Sequence, residues 1–192
     1  MGSGKRLNIS LSADTCILGA LALLLLPLKW IAAAVLAAAF HEGCHILALR
    51  LCGVRIRGLS VGASGAVMET EPMREVQELF CALAGPMGSF LLVLLVRIFP
   101  EISICALVQG IYNLIPVCPL DGGRVVRSVL SILIPDRQER VMKWIRNLTC
   151  LIIICLGLIG FWYLKLGFGV LIPALFWMGR KIPCKEAHKG VQ

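Results

Sequence analysis

Along this chain, long apolar runs alternate with short polar connections. The apolar runs fall at about 13–28, 30–49, 79–99, 102–120, 148–164 and 166–179. Each is long enough, or nearly so, for a tilted transmembrane helix. The two longest connections, at about 50–78 and 122–147, are polar. Within the first, the stretch from Gly58 to Met68 is small, Gly-rich and partly alternating, with Gly62 and Gly65 as turn candidates. That pattern predicts a short β-hairpin over about 58–68. In the second, Val125, Val129, Ile132 and Leu133 recur at helical spacing beside Arg124, Arg127 and Arg137. This predicts an amphipathic helix over about 124–134 at the cytoplasmic membrane surface. The expected fold is an all-α polytopic membrane protein, a single domain over residues 1–192. It has about six transmembrane helices and a short β-hairpin between spans two and three.

Composition agrees. Of 192 residues, 58% are apolar and 16% charged, whereas soluble domains run at about 25% charged. A soluble domain of this size cannot hide that much apolar surface, and disorder, collagen and coiled coil are excluded too. The net charge of +8 would point to nucleic acid in a soluble protein. In a membrane protein the positive-inside rule explains it, so nucleic acid is not an expected partner and the lipid bilayer is. With the N-terminus inside, only Lys29, Arg97 and Lys165 of the 19 Lys and Arg fall outside. Six spans with both termini cytoplasmic give that asymmetry, and five or seven would spoil it. Pro27-Leu28-Lys29-Trp30 is a poor cleavage site, so the first segment is expected to be retained. The nine cysteines are odd in number and form no CxxC pair. Cys16, Cys81, Cys105, Cys150 and Cys155 lie in apolar runs, where reduced thiols act as small hydrophobes.

Candidate chemistry begins in the second run, at His41-Glu42-Gly43-Cys44-His45. Residues i and i+4 share a helix face, so two imidazoles can meet one metal ion with Glu42 beside them. Zn²⁺ lowers the pKa of a bound water to about 7, and a carboxylate can then take its proton during attack on a peptide carbonyl. A chance HExxH is the bland alternative. However, two of the three histidines in the chain stand here, and each ionisable residue inside a span is disfavoured by up to about 3 kcal/mol. A catalytic zinc normally takes three protein ligands. Asp121, at the inner end of span four, converges in depth with His41 and His45, although pairing with Arg124 would also account for it. Pro116 and Pro119 end regular helix before it, which lipid tolerates where the broken stretch lines a cavity. Asn113 could bond substrate backbone or orient the water; a helix–helix hydrogen bond is its plainer use.

Three motifs in order, His41-Glu42-xx-His45, Ala84-Gly85-Pro86 and Asn113-xx-Pro116-xx-Pro119-Leu120-Asp121-Gly122-Gly123, resemble the site-2 protease family of intramembrane zinc metalloproteases. The six-span layout and the absence of an inserted PDZ domain look most like the sporulation-type bacterial branch that processes pro-sigma factors, although members of that branch often carry a C-terminal CBS domain and none is expected in this chain. Met87-Gly88 departs from it, standing where bulkier or amide residues are commoner. The resemblance implies that His41, His45 and Asp121 bind one Zn²⁺, that Glu42 activates water and that Asn113 assists near the substrate. It implies a transmembrane protein substrate, a bacterial cytoplasmic membrane location and room for a regulatory membrane partner. The 58–68 hairpin would offer an edge strand to the unwound substrate. Two rivals remain: a catalytically inactive zinc-binding membrane protein that holds a transmembrane partner, and a metal transporter. An intact Glu42 and the lack of repeat symmetry argue against them.

Overall fold

The computed structural model describes residues 8–11, 20, 23–62 and 65–164. The protein is mostly helical. Among the described residues the main helices are, in order, α1 (Leu28–Leu51), α2 (Glu75–Val93), α3 (Pro100–Asn113), α4 (Asp121–Leu133) and α5 (Gln138–Leu164). A 3₁₀ turn, Pro135–Arg137, joins the last two. Leu28–Leu51, Glu75–Val93 and Pro135–Ile159 are long and apolar enough to cross a membrane. Much of their surface is exposed, with Leu36 at 56% and Leu156 at 62%. Exposed apolar side chains on spanning helices belong against lipid, which makes this a membrane protein.

α2 is the hub, packing against α1, α3 and α4. Its buried residues are Cys81, Ala82, Gly85, Pro86, Gly88 and Ser89, and small side chains let helix backbones approach closely where lipid supplies no hydrophobic drive. A side-chain cap starts it, with the Arg74 N–H donating to Gln77 Oε1 at 3.0 Å. Gln77 also donates to the Cys52 carbonyl at 3.2 Å, tying the start of α2 to the end of α1. At the opposite end Lys29 Nζ meets Glu101 Oε1 at 3.5 Å. The N-termini of α1 and α3 therefore lie together, and α2 runs the other way.

Several helix bounds depart from the expected ones. The run expected at 79–99 is helical only over Glu75–Val93, with turns through residue 98 before Pro100 opens α3. The run expected at 102–120 leaves the helix after Asn113. α3 thus rises only about 21 Å, short of the ~30 Å hydrocarbon core. Residues 114–120 are irregular and include a cis Cys118–Pro119 peptide. Helix α5 begins at Gln138, inside the expected polar connection. The expected span at 13–28 lies largely, and that at 166–179 wholly, outside the described residues.

Between α1 and α2 lie β2 (Ile56–Gly62) and β3 (Gly65–Thr70), antiparallel, with Gly62 opposite Gly65 and Ile56 opposite Thr70. β1 (Asn8–Leu11) adds to β2 in parallel, with Asn8 opposite Gly58, giving the order β1-β2-β3. Strict alternation in Leu7-Asn8-Ile9-Ser10-Leu11 is the sequence signal for that unanticipated strand. Ile56, Met68 and Val54 pack on Ala48, Leu49, Met73 and Cys81. This seats the base of the sheet against the end of α1, one turn beyond His45.

Candidate metal centre

The centre lies where α1, α2, the end of α3 and the start of α4 meet. His41 and His45 are one turn apart on α1, and both are buried. Asp121 is the first residue of α4, also buried; it opens a helix, where the sequence placed it at the end of a span. A carboxylate is favoured there by the partial positive charge of the helix N-terminus. Gly122 and Gly123 occupy its first turn. A Cβ at Gly122 would run into the Leu114 carbonyl, and one at Gly123 into the Cys118 backbone nitrogen. The two glycines therefore serve close packing under the 114–120 connection, and that packing seats Asp121.

Nε2 of His41 and Nε2 of His45 are 3.2 Å apart, and each lies 3.1 Å from Asp121 Oδ2. The far side of each ring is occupied. His45 Nδ1–H donates to the Cys81 carbonyl at 2.7 Å, and a carbonyl can only accept. The neutral His45 ring is thereby left with its lone pair on Nε2. His41 Nδ1 lies 2.8 Å from Ser89 Oγ. One proton among two imidazole nitrogens and a carboxylate oxygen, 3.1–3.2 Å apart, would leave lone pairs facing one another. A cation suits them better. Bonds of about 2.0–2.1 Å in tetrahedral zinc sites put neighbouring ligand atoms about 3.3 Å apart, so the spacing here fits.

Gly85 explains how α2 comes so near. A Cβ there would lie 2.7 Å from His41 Nε2 and would strike Nε2 of His45. Asn113, the last residue of α3, places Nδ2 3.1 Å from His41 Nε2. Glu42 is half-buried on α1. It leaves the helix about 100° round from His41, beside the shared face and not on it. Arg124 reaches Asp121 Oδ1 and Glu78 Oε1, each at 3.7 Å, so both the pairing and the convergence open to Asp121 are realised at once. Cys118 does not join the group of three that could hold a metal. It is disulfide-bonded, whereas Cys44, Cys52, Cys81, Cys105, Cys150 and Cys155 are free, as expected of the four among them named in the apolar runs.

Sequence reasoning missed the contacts behind the ring nitrogens. Cys81 was read as a small hydrophobe and Ser89 was not singled out. Their signal was the spacing 81, 85, 89, which is one face of one helix.

A helical membrane protein with a buried two-histidine, one-carboxylate centre between its helices is the class that fold and site define. Residues 15–133 match the family described as Peptidase M50B-like. The chain belongs to that family, and the likeness to site-2 proteases read from its motifs is borne out. A zinc metalloprotease of Methanocaldococcus jannaschii is 30% identical over 105 residues, covering 47% of this chain. The aligned stretch spans only 31% of that relative's length. The solved site-2 protease from the same organism shares the fold, with a TM-score of 0.61 at 21% identity, covering 97% of both chains.

Proposed function

We propose that this protein is an intramembrane zinc endopeptidase that cuts a membrane-embedded or membrane-tethered protein near the cytoplasmic face. The observation that carries the reading is the convergence of three metal-binding atoms within 3.2 Å of one another, in a chain of this family. His41, His45 and Asp121 would hold one zinc per chain. Bound there, zinc supplies Lewis acidity toward a carbonyl oxygen and acidifies water. Glu42 would take the proton from the attacking water and return it to the leaving amine, as general base and then general acid. Asn113, the last residue of α3, would donate from its amide to the substrate carbonyl.

An extended substrate needs partners for its freed backbone groups. Because β2 is paired on both sides, the outer edges of β1 and β3, which pair with no further strand among the described residues, would receive such a strand. The charge pattern supports six spans with both termini cytoplasmic, and the motif resemblance supports a bacterial cytoplasmic membrane and a role in regulated proteolysis.

The test pairs metal content with cleavage in detergent-purified protein. Wild type should carry about one zinc and Asp121→Ala should lose it. Glu42→Gln should keep zinc and fail to cut a single-span substrate that wild type cuts. Wild type that binds zinc and a transmembrane partner, yet never cleaves it, would establish the non-catalytic alternative.

A further inference from the structure

One face of α2 carries Cys81, Gly85 and Ser89 at successive turns, all buried. Opposite them on α1, running the other way, stand His45 and His41. Gly85 leaves the room that the two Nε2 atoms occupy. The Cys81 carbonyl holds the back of His45 at 2.7 Å, and Ser89 Oγ lies 2.8 Å behind His41.

The two anchors differ chemically. A carbonyl fixes the tautomer of His45 outright, whereas a hydroxyl can donate or accept. If Ser89 donated to Nδ1, the His41 proton would sit on Nε2, aimed at the metal position. If Ser89 accepts, Nε2 presents its lone pair. Only in the second arrangement can Nε2 join His45 Nε2 and Asp121 Oδ2, 3.2 and 3.1 Å away, in holding one cation. Ser89 is fully buried, at 0% exposure, so no solvent water can take its place.

We propose that Ser89 is a positioning residue for the metal centre: its Oγ accepts the His41 Nδ1 proton and so holds His41 Nε2 as a metal-binding lone pair. This rests on the zinc reading above, and it assigns to α2 a share in metal affinity that His41, His45 and Asp121 do not exhaust. Outer contacts of this kind are worth roughly 10–100-fold in metal affinity.

The experiment measures zinc affinity of the full chain in detergent by competition with a chromogenic chelator, together with the visible spectrum of the Co²⁺-loaded protein. Ser89→Ala should weaken zinc about 10–100-fold and alter the cobalt bands. Ser89→Thr, which keeps the hydroxyl, should restore both; Ser89→Val, its isostere without one, should not. That pair carries the test if the alanine variant folds poorly. Ser103→Ala removes another buried hydroxyl, one that donates to the Leu92 carbonyl at 2.9 Å, and should leave zinc affinity unchanged. Wild-type affinity in Ser89→Ala, or equal losses in the threonine and valine variants, would overturn the proposal while an Asp121→Ala loss left the metal centre standing. Wild type that takes up no zinc would overturn both.

Discussion

Gly85→Ala tests the geometry of the centre through a single methyl group. The added Cβ would lie 2.7 Å from His41 Nε2 and closer still to the ring of His45, where ordinary contact begins at 3.4 Å. A gap of more than about 0.7 Å must open in a packed interior that has little slack. Overpacking of this kind costs about 1–3 kcal/mol. There are two ways to relieve it. If α2 retreats, Ser89 and the Cys81 carbonyl leave the ring nitrogens they hold at 2.8 and 2.7 Å. If the rings turn aside, Nε2 of each leaves Asp121. Either way ligand orientation is lost, and zinc affinity should fall by at least about 10–100-fold. Chelator competition measures the affinity, and thermal unfolding in detergent measures the stability. Gly43→Ala is the matched control, because a Cβ there meets nothing within 4 Å among the described residues although Gly43 lies between the two histidines. Gly85→Ala with wild-type zinc affinity and Tm would refute the close approach of α2, and with it the account of how the rings are held.

Gly123→Ala should unseat Asp121, because its Cβ would press on the backbone of Cys118 and Val117, which cannot swing aside as a side chain can. A zinc deficit with a loss of about 1–3 kcal/mol in unfolding free energy is expected, and full occupancy would count against the seating role of the 114–120 connection. A strong chelator should abolish cleavage, and zinc should restore it. Zinc at a hundred times its dissociation constant should stabilise the fold by about 2.7 kcal/mol, a rise in Tm that Asp121→Ala should not show. Arg124→Gln should change stability by no more than about 1 kcal/mol, since its two ion pairs are long and partly exposed; a larger loss would show that Arg124 holds Asp121 in place.

Some of the site could be read directly from the chain. His41 and His45 share a face by helical spacing, and a pair of histidines in an apolar run is too costly to keep without a role. Asp121 stood out as a carboxylate beyond a proline-broken run. Its local setting did not, because whether Gly122-Gly123 reverses the chain or starts a helix depends on the Leu114 and Cys118 backbone lying against it. The same holds for the end of α3: two prolines announced a break, but its position at Asn113 follows from packing.

What the sequence by itself determined was membrane residence, the helical scaffold and the donor set, because hydropathy, charge asymmetry and residue chemistry are carried by the residues themselves. Only the tertiary structure decided the rest. Antiparallel packing of α1 on α2 sets Cys81 behind His45 and Ser89 behind His41, and it leaves Gly85 as the space between. Asp121 reaches the same point from 76 residues beyond His45. Which nitrogen of His45 carries its proton is settled by the Cys81 carbonyl behind the ring, and that neighbour belongs to another helix.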